Sequence, residues 1–398
     1  MSPLNRREAL ALLGAAGGAA VASTWGNGSR ALAAPGQNPS PPKRASVFPN
    51  GSVIRTLLKD LPPEALSGGP VLFHEHLSMH YPPQVKEHFT DDVAMMVEEV
   101  RAAGKDGITC IVDGGHPDMS RSLDALKRIA TESGVAVVAS GGYYMQRTYP
   151  PEIATRSADQ ISEELVREAA TQRLGAFGEI GQQGGVLTED EKKVFQAVAK
   201  AQVRTGLPVF THNAYTGTRP TANPVPHDAA LRQLDILEAA GARPSHLAIG
   251  HIKSHRTSAY PRIYELWYTF STGHNAPLNK AISTVLERND GISEQEIEEI
   301  YDNYLSPLRF SDRVDQVGSR LMGEIDQVMA MVEAGYVDHV LLSSDFAVAG
   351  SLKKNGGAGI GQAATVFGPM LLKAGLSEAM LHRILVDNPR QFLAFVPV

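Results

Sequence analysis

Val71-Leu72-Phe73-His74-Glu75-His76-Leu77 decides how this chain is read. Three apolar residues lead directly into two histidines separated by one residue. On a strand, side chains at i and i+2 share a face. His74 and His76 can therefore reach one metal ion, while Glu75 points elsewhere. Taken by themselves, the two histidines also fit a plain solvated pair.

Working outward, similar short apolar runs occur at 108–112, 135–139, 176–180, 207–210, 247–249 and 340–342. Helix-like stretches lie between them. Val93, Met96, Val97 and Val100 form a stripe at helical spacing before the second run, and Leu123, Leu126, Ile129 and Ala130 do so before the third. Strand, helix, strand at this spacing predicts an α/β fold with a parallel sheet. The expected architecture is a (β/α)8 TIM barrel with an insertion around the seventh βα unit. Seven runs are visible where a closed barrel needs eight strands. The missing strand is expected between 249 and 340, with 263–270 as a candidate that also reads as helix. Residues 271–320 read as the insertion and contain a polar, helix-like segment at 293–304.

The polar residues fall at the ends of these runs. His74 and His76 end the first, Glu179 lies at the end of the fourth, and His212, His251 and Asp345 follow the fifth, sixth and last. Barrel strands direct their C-termini to one face, where active sites lie. A lone histidine is more often structural, but the matching placement of His212 and His251 argues for a shared site. Asp345 alone also fits a helix cap. Gly178 and Gly181 flank Glu179 and mark either a close backbone approach or a bulge. Imidazole with carboxylate suits Zn²⁺, and also Mn²⁺, Co²⁺ or Fe²⁺. Spacing alone leaves the metal and its count open.

The 398-residue chain is 43% hydrophobic and 20% charged, with a formal charge of −6. Such a composition supports a large core and gives no basic surface for nucleic acid. The single cysteine, Cys110, sits in an apolar run and reads as a buried, inert thiol. Gly350, Gly356, Gly357, Gly359 and Gly361 lack the Gly-Lys-[Ser/Thr] ending of a phosphate loop. They read as a tight or mobile loop after the last run.

The N-terminus reads as an export signal. Asn5-Arg6-Arg7-Glu8 precedes an uncharged Ala/Gly-rich run from Ala9 to Ala22, and Ala31-Leu32-Ala33 is a small-x-small site. The paired arginines are similar to a twin-arginine signal, handled by the twin-arginine export machinery. This predicts a signal peptide at 1–33, a Pro-rich flexible linker at 34–46 and a metallohydrolase domain at 47–398. The expected location is secreted, periplasmic or extracytoplasmic. The apolar run is too short for a standard membrane span, so no stable membrane insertion is expected.

At these residues the chain resembles the phosphotriesterase family of the amidohydrolase superfamily, over roughly 71–250 and 340–395. The resemblance rests on several motifs in order: Phe73-His74-Glu75-His76-Leu77, the 107–113 segment, Gly141-Gly142-Tyr143-Tyr144, and Gly178-Glu179-Ile180-Gly181. Pro208-Val209-Phe210-Thr211-His212, Ile249-Gly250-His251, Ser344-Asp345 and Asn388-Pro389-Arg390-Gln391-Phe392-Leu393 complete it. It implies two divalent metal ions per chain, zinc first among the candidates. His74, His76 and Asp345 would hold the more buried ion, His212 and His251 the more exposed one, and Glu179 would bridge them in place of a carboxylated lysine. A metal-bound hydroxide would attack the substrate and Asp345 would take its proton. Tyr144 matches the position where lactone-cleaving relatives carry a tyrosine, although packing alone also accounts for one there. The resemblance admits a homodimer.

Two departures bear on the substrate. Ile252-Lys253-Ser254-His255 follows His251, where the family often has an aspartate that serves phosphotriester hydrolysis. Residues 252–339 do not resemble the usual seventh unit, and Trp267, Tyr268 and His274 within them are candidates for a pocket, the core or a subunit interface. A small-molecule lactone or carboxylic ester is thus the expected substrate. A phosphoester or amide is the alternative within the superfamily, and a catalytically inactive secreted binding protein is the alternative outside enzymology.

Overall fold

The computed structural model of the protein describes residues 48–80, 90–212, 229–250, 325, 328–329, 331–333, 335–347 and 349–397. The signal peptide at 1–33, the linker at 34–46, the candidate strand at 263–270, the helix-like segment at 293–304, and His251, Lys253, His255, Trp267, Tyr268 and His274 lie outside them.

A two-stranded antiparallel hairpin, β1 (Ile54–Arg55) and β2 (Asp60–Leu61), precedes the main sheet. Six strands then run parallel in sequential order: β3 (Val71–Glu75), β4 (Cys110–Asp113), β5 (Ala136–Gly141), β6 (Ala176–Gly181), β7 (Val209–His212) and β8 (Leu247–Ile249). The helices between them are α1 (Val93–Lys105), α2 (Leu123–Ser133), α3 (Ala158–Thr171), α4 (Glu189–Thr205) and α5 (Ala229–Ala239). The first six apolar runs each supply a strand.

Helix starts are written into the sequence. Ser122 caps α2 by accepting from the Ala125 amide. Ser157 with Gln160 and Thr188 with Glu191 form reciprocal capping boxes at α3 and α4, which satisfy amides that have no partner inside the helix. The stripes land as their spacing requires: Met96, Val97 and Val100 of α1 and Leu126, Ile129 and Ala130 of α2 are buried.

Strand alternation sorts the core into two sides. Leu72, Ile111, Val137, Phe177 and Val209 face the helices and pack with Met96, Val100, Leu126 and Val198. Val71, Phe73, Cys110, Val112, Val138 and Phe210 form the concave side, packed with Phe392 and Leu393. A sheet covered on both faces needs apolar residues at successive positions, hence the continuous runs. Cys110 is fully buried, and burial pushes its thiol up to about 12, so it is inert as expected. Among the described residues no helix is long and apolar enough to cross a membrane.

The expectation of a closed, eight-stranded (β/α)8 barrel is corrected. The described sheet is an open, six-stranded parallel half-barrel, and no described strand pairs with the outer edge of β8. The last apolar run, 340–342, forms no strand. Its neighbours meet the edge of β3 through two backbone bonds, from Asp345 to His74 and from His76 to Phe346, but form no regular ladder: the His74 amide donates to Ser343 Oγ at 2.7 Å rather than to a carbonyl. The chain then turns into a left-handed residue, Asp345, with φ +49°. A side-chain hydroxyl and a positive φ stand where a closing strand needs extended backbone.

Candidate metal centre

The C-terminal ends of β3 and β6 and the segment beside β3 bring four predicted residues together. One ligand atom each from His74, His76, Glu179 and Asp345 lies within 4.8 Å of all the others. Glu179 Oε2 is 3.4 Å from His74 Nε2, and Glu179 Oε1 is 3.2 Å from His76 Nε2. Asp345 Oδ1 is 3.6 Å from His74 Nε2 and 3.3 Å from His76 Nε2. His212, at the end of β7, joins through Glu179, with Nδ1 2.6 Å from Oε2. The Tyr144 hydroxyl is 3.4 Å from both ring nitrogens of His212. His251 lies outside the described residues.

The sequence builds this convergence locally. Alternation on β3 puts His74 and His76 on one side, with ring centroids 5.4 Å apart. Both glycines around Glu179 serve close approach: a β-carbon on Gly178 would sit 2.5 Å from Phe210 Cδ1, and one on Gly181 2.3 Å from the Tyr144 carbonyl oxygen. The pairing of β6 with β7 also shifts register between Phe177 and Ile180, so the bulge reading holds as well.

Burial would depress both β3 imidazoles, but the carboxylates of Glu179 and Asp345 outweigh it. His74 is raised, and His76 is raised well above 6.5. One buried and one partly exposed carboxylate facing two buried imidazoles form a donor set that fits one divalent transition ion. The side chains of His74, His76 and Glu179 are 7%, 2% and 2% exposed, whereas that of Asp345 is 20% exposed. Solvent therefore reaches the cluster on its Asp345 side.

Several contributors went unnoticed in the sequence. Glu75 is fully buried and accepts from Ser343 Oγ at 2.8 Å, the Ser344 amide at 2.9 Å and the Phe346 amide at 2.7 Å. Burial pushes its carboxyl up to about 7 against the pull of those donors. Asp113, at the end of β4, accepts from the Leu77 amide at 2.8 Å and the Gly115 amide at 3.1 Å, fixing the chain just after His76. His116 is fully buried, and burial lowers it to about 3. One signal was available: an acidic residue inside an apolar strand must find hydrogen-bond donors.

Known proteins are similar to this one over most of the chain. N-acetyltaurine hydrolase from Xenopus tropicalis is 27% identical, over 86% of this chain and 98% of that protein. The crystal structure of phosphotriesterase homology protein from Escherichia coli, complexed with phosphate in its active site, matches with a TM-score of 0.60 and 25% identity, over 82% of this chain and 99% of that one. A lactonase from Listeria monocytogenes shares the fold at a TM-score of 0.60 and 19% identity, over 86% of this chain and 99% of that one. The phosphotriesterase family model matches residues 60–266 and 283–393. With the ligand cluster in place, the chain belongs to the phosphotriesterase family, as a metal-binding hydrolase of the amidohydrolase superfamily.

Proposed function

We propose that this hydrolase cleaves a lactone or another carboxylic ester. The supporting observation is the ligand cluster of His74, His76, Glu179 and the partly exposed Asp345, with the Tyr144 hydroxyl beside His212. His74, His76 and Asp345 would hold one divalent ion, zinc first, with manganese, cobalt or iron as alternatives. Glu179 would extend the site to a second ion shared with His212 and His251. A bound divalent cation supplies Lewis acidity, which polarises an acyl oxygen and makes water acidic enough to react near neutral pH.

The protein's own groups do the rest. An Asp345 carboxylate oxygen takes one proton from water as the water oxygen bonds to the acyl carbon, and returns it to the alcohol oxygen as the ester carbon–oxygen bond breaks, giving the carboxylic acid and the alcohol. Tyr144, beside His212, orients the substrate. The Ile252-Lys253-Ser254-His255 sequence, with no aspartate after His251, favours an acyl over a phosphotriester substrate. A second reading, amide hydrolysis, is favoured by the similarity to N-acetyltaurine hydrolase over 86% of this chain.

The test is a panel of lactones, aryl esters, N-acyl amides including N-acetyltaurine, and phosphoesters, on protein reconstituted separately with Zn²⁺, Mn²⁺ and Co²⁺. Highest kcat/KM on a lactone or ester, abolished by a chelator, is the expected result. Preference for an amide would replace it with the second reading. Metal-replete protein that cleaves nothing would make the chain a binding protein.

Twin-arginine export, with a mature chain beginning near Ala34, is proposed from the sequence. Intact mass of the exported protein, and export of an Arg6→Lys/Arg7→Lys variant, test it. A mature start before residue 20 or unimpaired export would overturn it.

A further inference from the structure

Glu75 stands between two metal-ligand candidates, yet its carboxylate turns to a segment 268 residues away. Oε1 accepts from the Ser343 hydroxyl and the Ser344 amide, and Oε2 accepts from the Phe346 amide. Those donors bracket Asp345. The Asp345 amide itself donates to the His74 carbonyl at 3.1 Å, and the His76 amide donates to the Phe346 carbonyl at 2.8 Å. Asp345 is held at φ +49°, a backbone conformation that a non-glycine residue keeps only when its surroundings enforce it. Among the contacts around this turn, Glu75 accepts three hydrogen bonds.

We infer that Glu75 is a positioning residue for Asp345: it clamps the 343–346 turn so that the Asp345 carboxylate meets His74 and His76 at one point. This rests on the proposed role of those residues as metal ligands. Glu75 touches no substrate and no metal, and acts by fixing where Asp345 can be. Both carboxylate oxygens are used as acceptors, and glutamine has only one. A glutamine amide group would face a backbone N–H with its own N–H in either orientation, toward Ser344 or toward Phe346. One buried donor must then lose its partner, and the turn must shift to relieve it.

Three variants, Glu75→Gln, Asp345→Asn and the double variant, carry the test. Each is measured for Co²⁺ affinity against a competing chelator, and for hydrogen exchange at the Ser344 and Phe346 amides without metal. Glu75→Gln is expected to weaken Co²⁺ about 10–100-fold, the range for groups that orient ligands. It should speed exchange at the flanking amides. Asp345→Asn should cost far less affinity in the Glu75→Gln background than in the wild type, because one variant already spoils what the other removes. Independent, multiplying effects would overturn the inference, and so would wild-type affinity in Glu75→Gln. If the wild type itself binds no Co²⁺, the metal reading fails, and the exchange data still decide whether Glu75 holds the turn. Should Glu75→Gln not fold, Glu75→Asp keeps two acceptor oxygens but shortens their reach to Ser344 and Phe346, and is expected to shift the same readouts less, in the same direction. No shift in Glu75→Asp would then count against the clamp.

Discussion

Glu179 Oε2 lies 2.6 Å from His212 Nδ1, which joins the fifth strand of the half-barrel to the β3 histidines through one carboxylate. The same side chain also faces His76 from its other oxygen. Glu179→Gln keeps the volume and removes the charge. Leaving buried, raised imidazoles without their counter-charge costs about 3–5 kcal/mol in comparable buried pairs. The variant should purify with little metal by elemental analysis, melt lower than metal-free wild type, and lose at least about 10–100-fold in turnover. Normal metal content would remove Glu179 from the centre.

A β-carbon on Gly114 would lie 2.8 Å from Cδ2 and 2.9 Å from Nε2 of His74. Gly114→Ala therefore pushes on a ligand ring rather than on backbone. The expected outcome is a folded protein with metal affinity reduced about 10–100-fold, the scale of misoriented ligands. A chelator-competition titration beside a thermal melt reads both quantities. Wild-type metal affinity in the folded variant would contradict it.

Tyr144→Phe deletes the hydroxyl near His212 and leaves a ring that packs with it at 4.9 Å between centroids. Hydrogen bonds to charged or polarised groups are worth about 1.5–3 kcal/mol. Turnover on the best substrate should fall about 10–100-fold, with metal content and melting temperature close to wild type. A melting temperature that falls while turnover holds would assign Tyr144 to packing alone.

His116 gives a pH signature. Burial lowers it from 6.5 to about 3, so the folded protein keeps the ring neutral where the unfolded chain protonates it. A depressed folded value means this stability is fully present above 6.5 and is lost as pH falls toward 3. Each pH unit in that window carries up to about 1.4 kcal/mol. His116→Gln should flatten the decline of melting temperature between pH 6.5 and 4. An equally steep decline would show that other groups set the acid limit.

Much of this was legible in the sequence. Short continuous apolar runs place six strands, and stripes at helical spacing place α1 and α2. Ends of strands place His74, His76, Glu179 and His212. The closure of the barrel was not legible. The 340–342 run is as apolar as a strand, and only the contacts of Ser343 and Asp345 with His74 reveal a hydroxyl and a left-handed turn instead of a ladder. The partners of Glu75 were hidden for a related reason. Alternation says that it leaves the histidine face, but not which distant segment arrives to meet it.

The bond from the His74 amide to Ser343 spans 269 residues, which gives the centre a history during synthesis. At about 5–20 residues per second, a ribosome needs on the order of 10–50 s to pass from one partner to the other. Throughout that interval the nascent chain displays His74 and His76 without Asp345, and without the turn that seals the edge of β3. Capture of an ion by the full ligand set therefore waits for the last part of translation. A chain released before residue 343 would leave the ribosome with an exposed sheet edge and an incomplete ligand set, which marks it for aggregation or proteolysis rather than for loading.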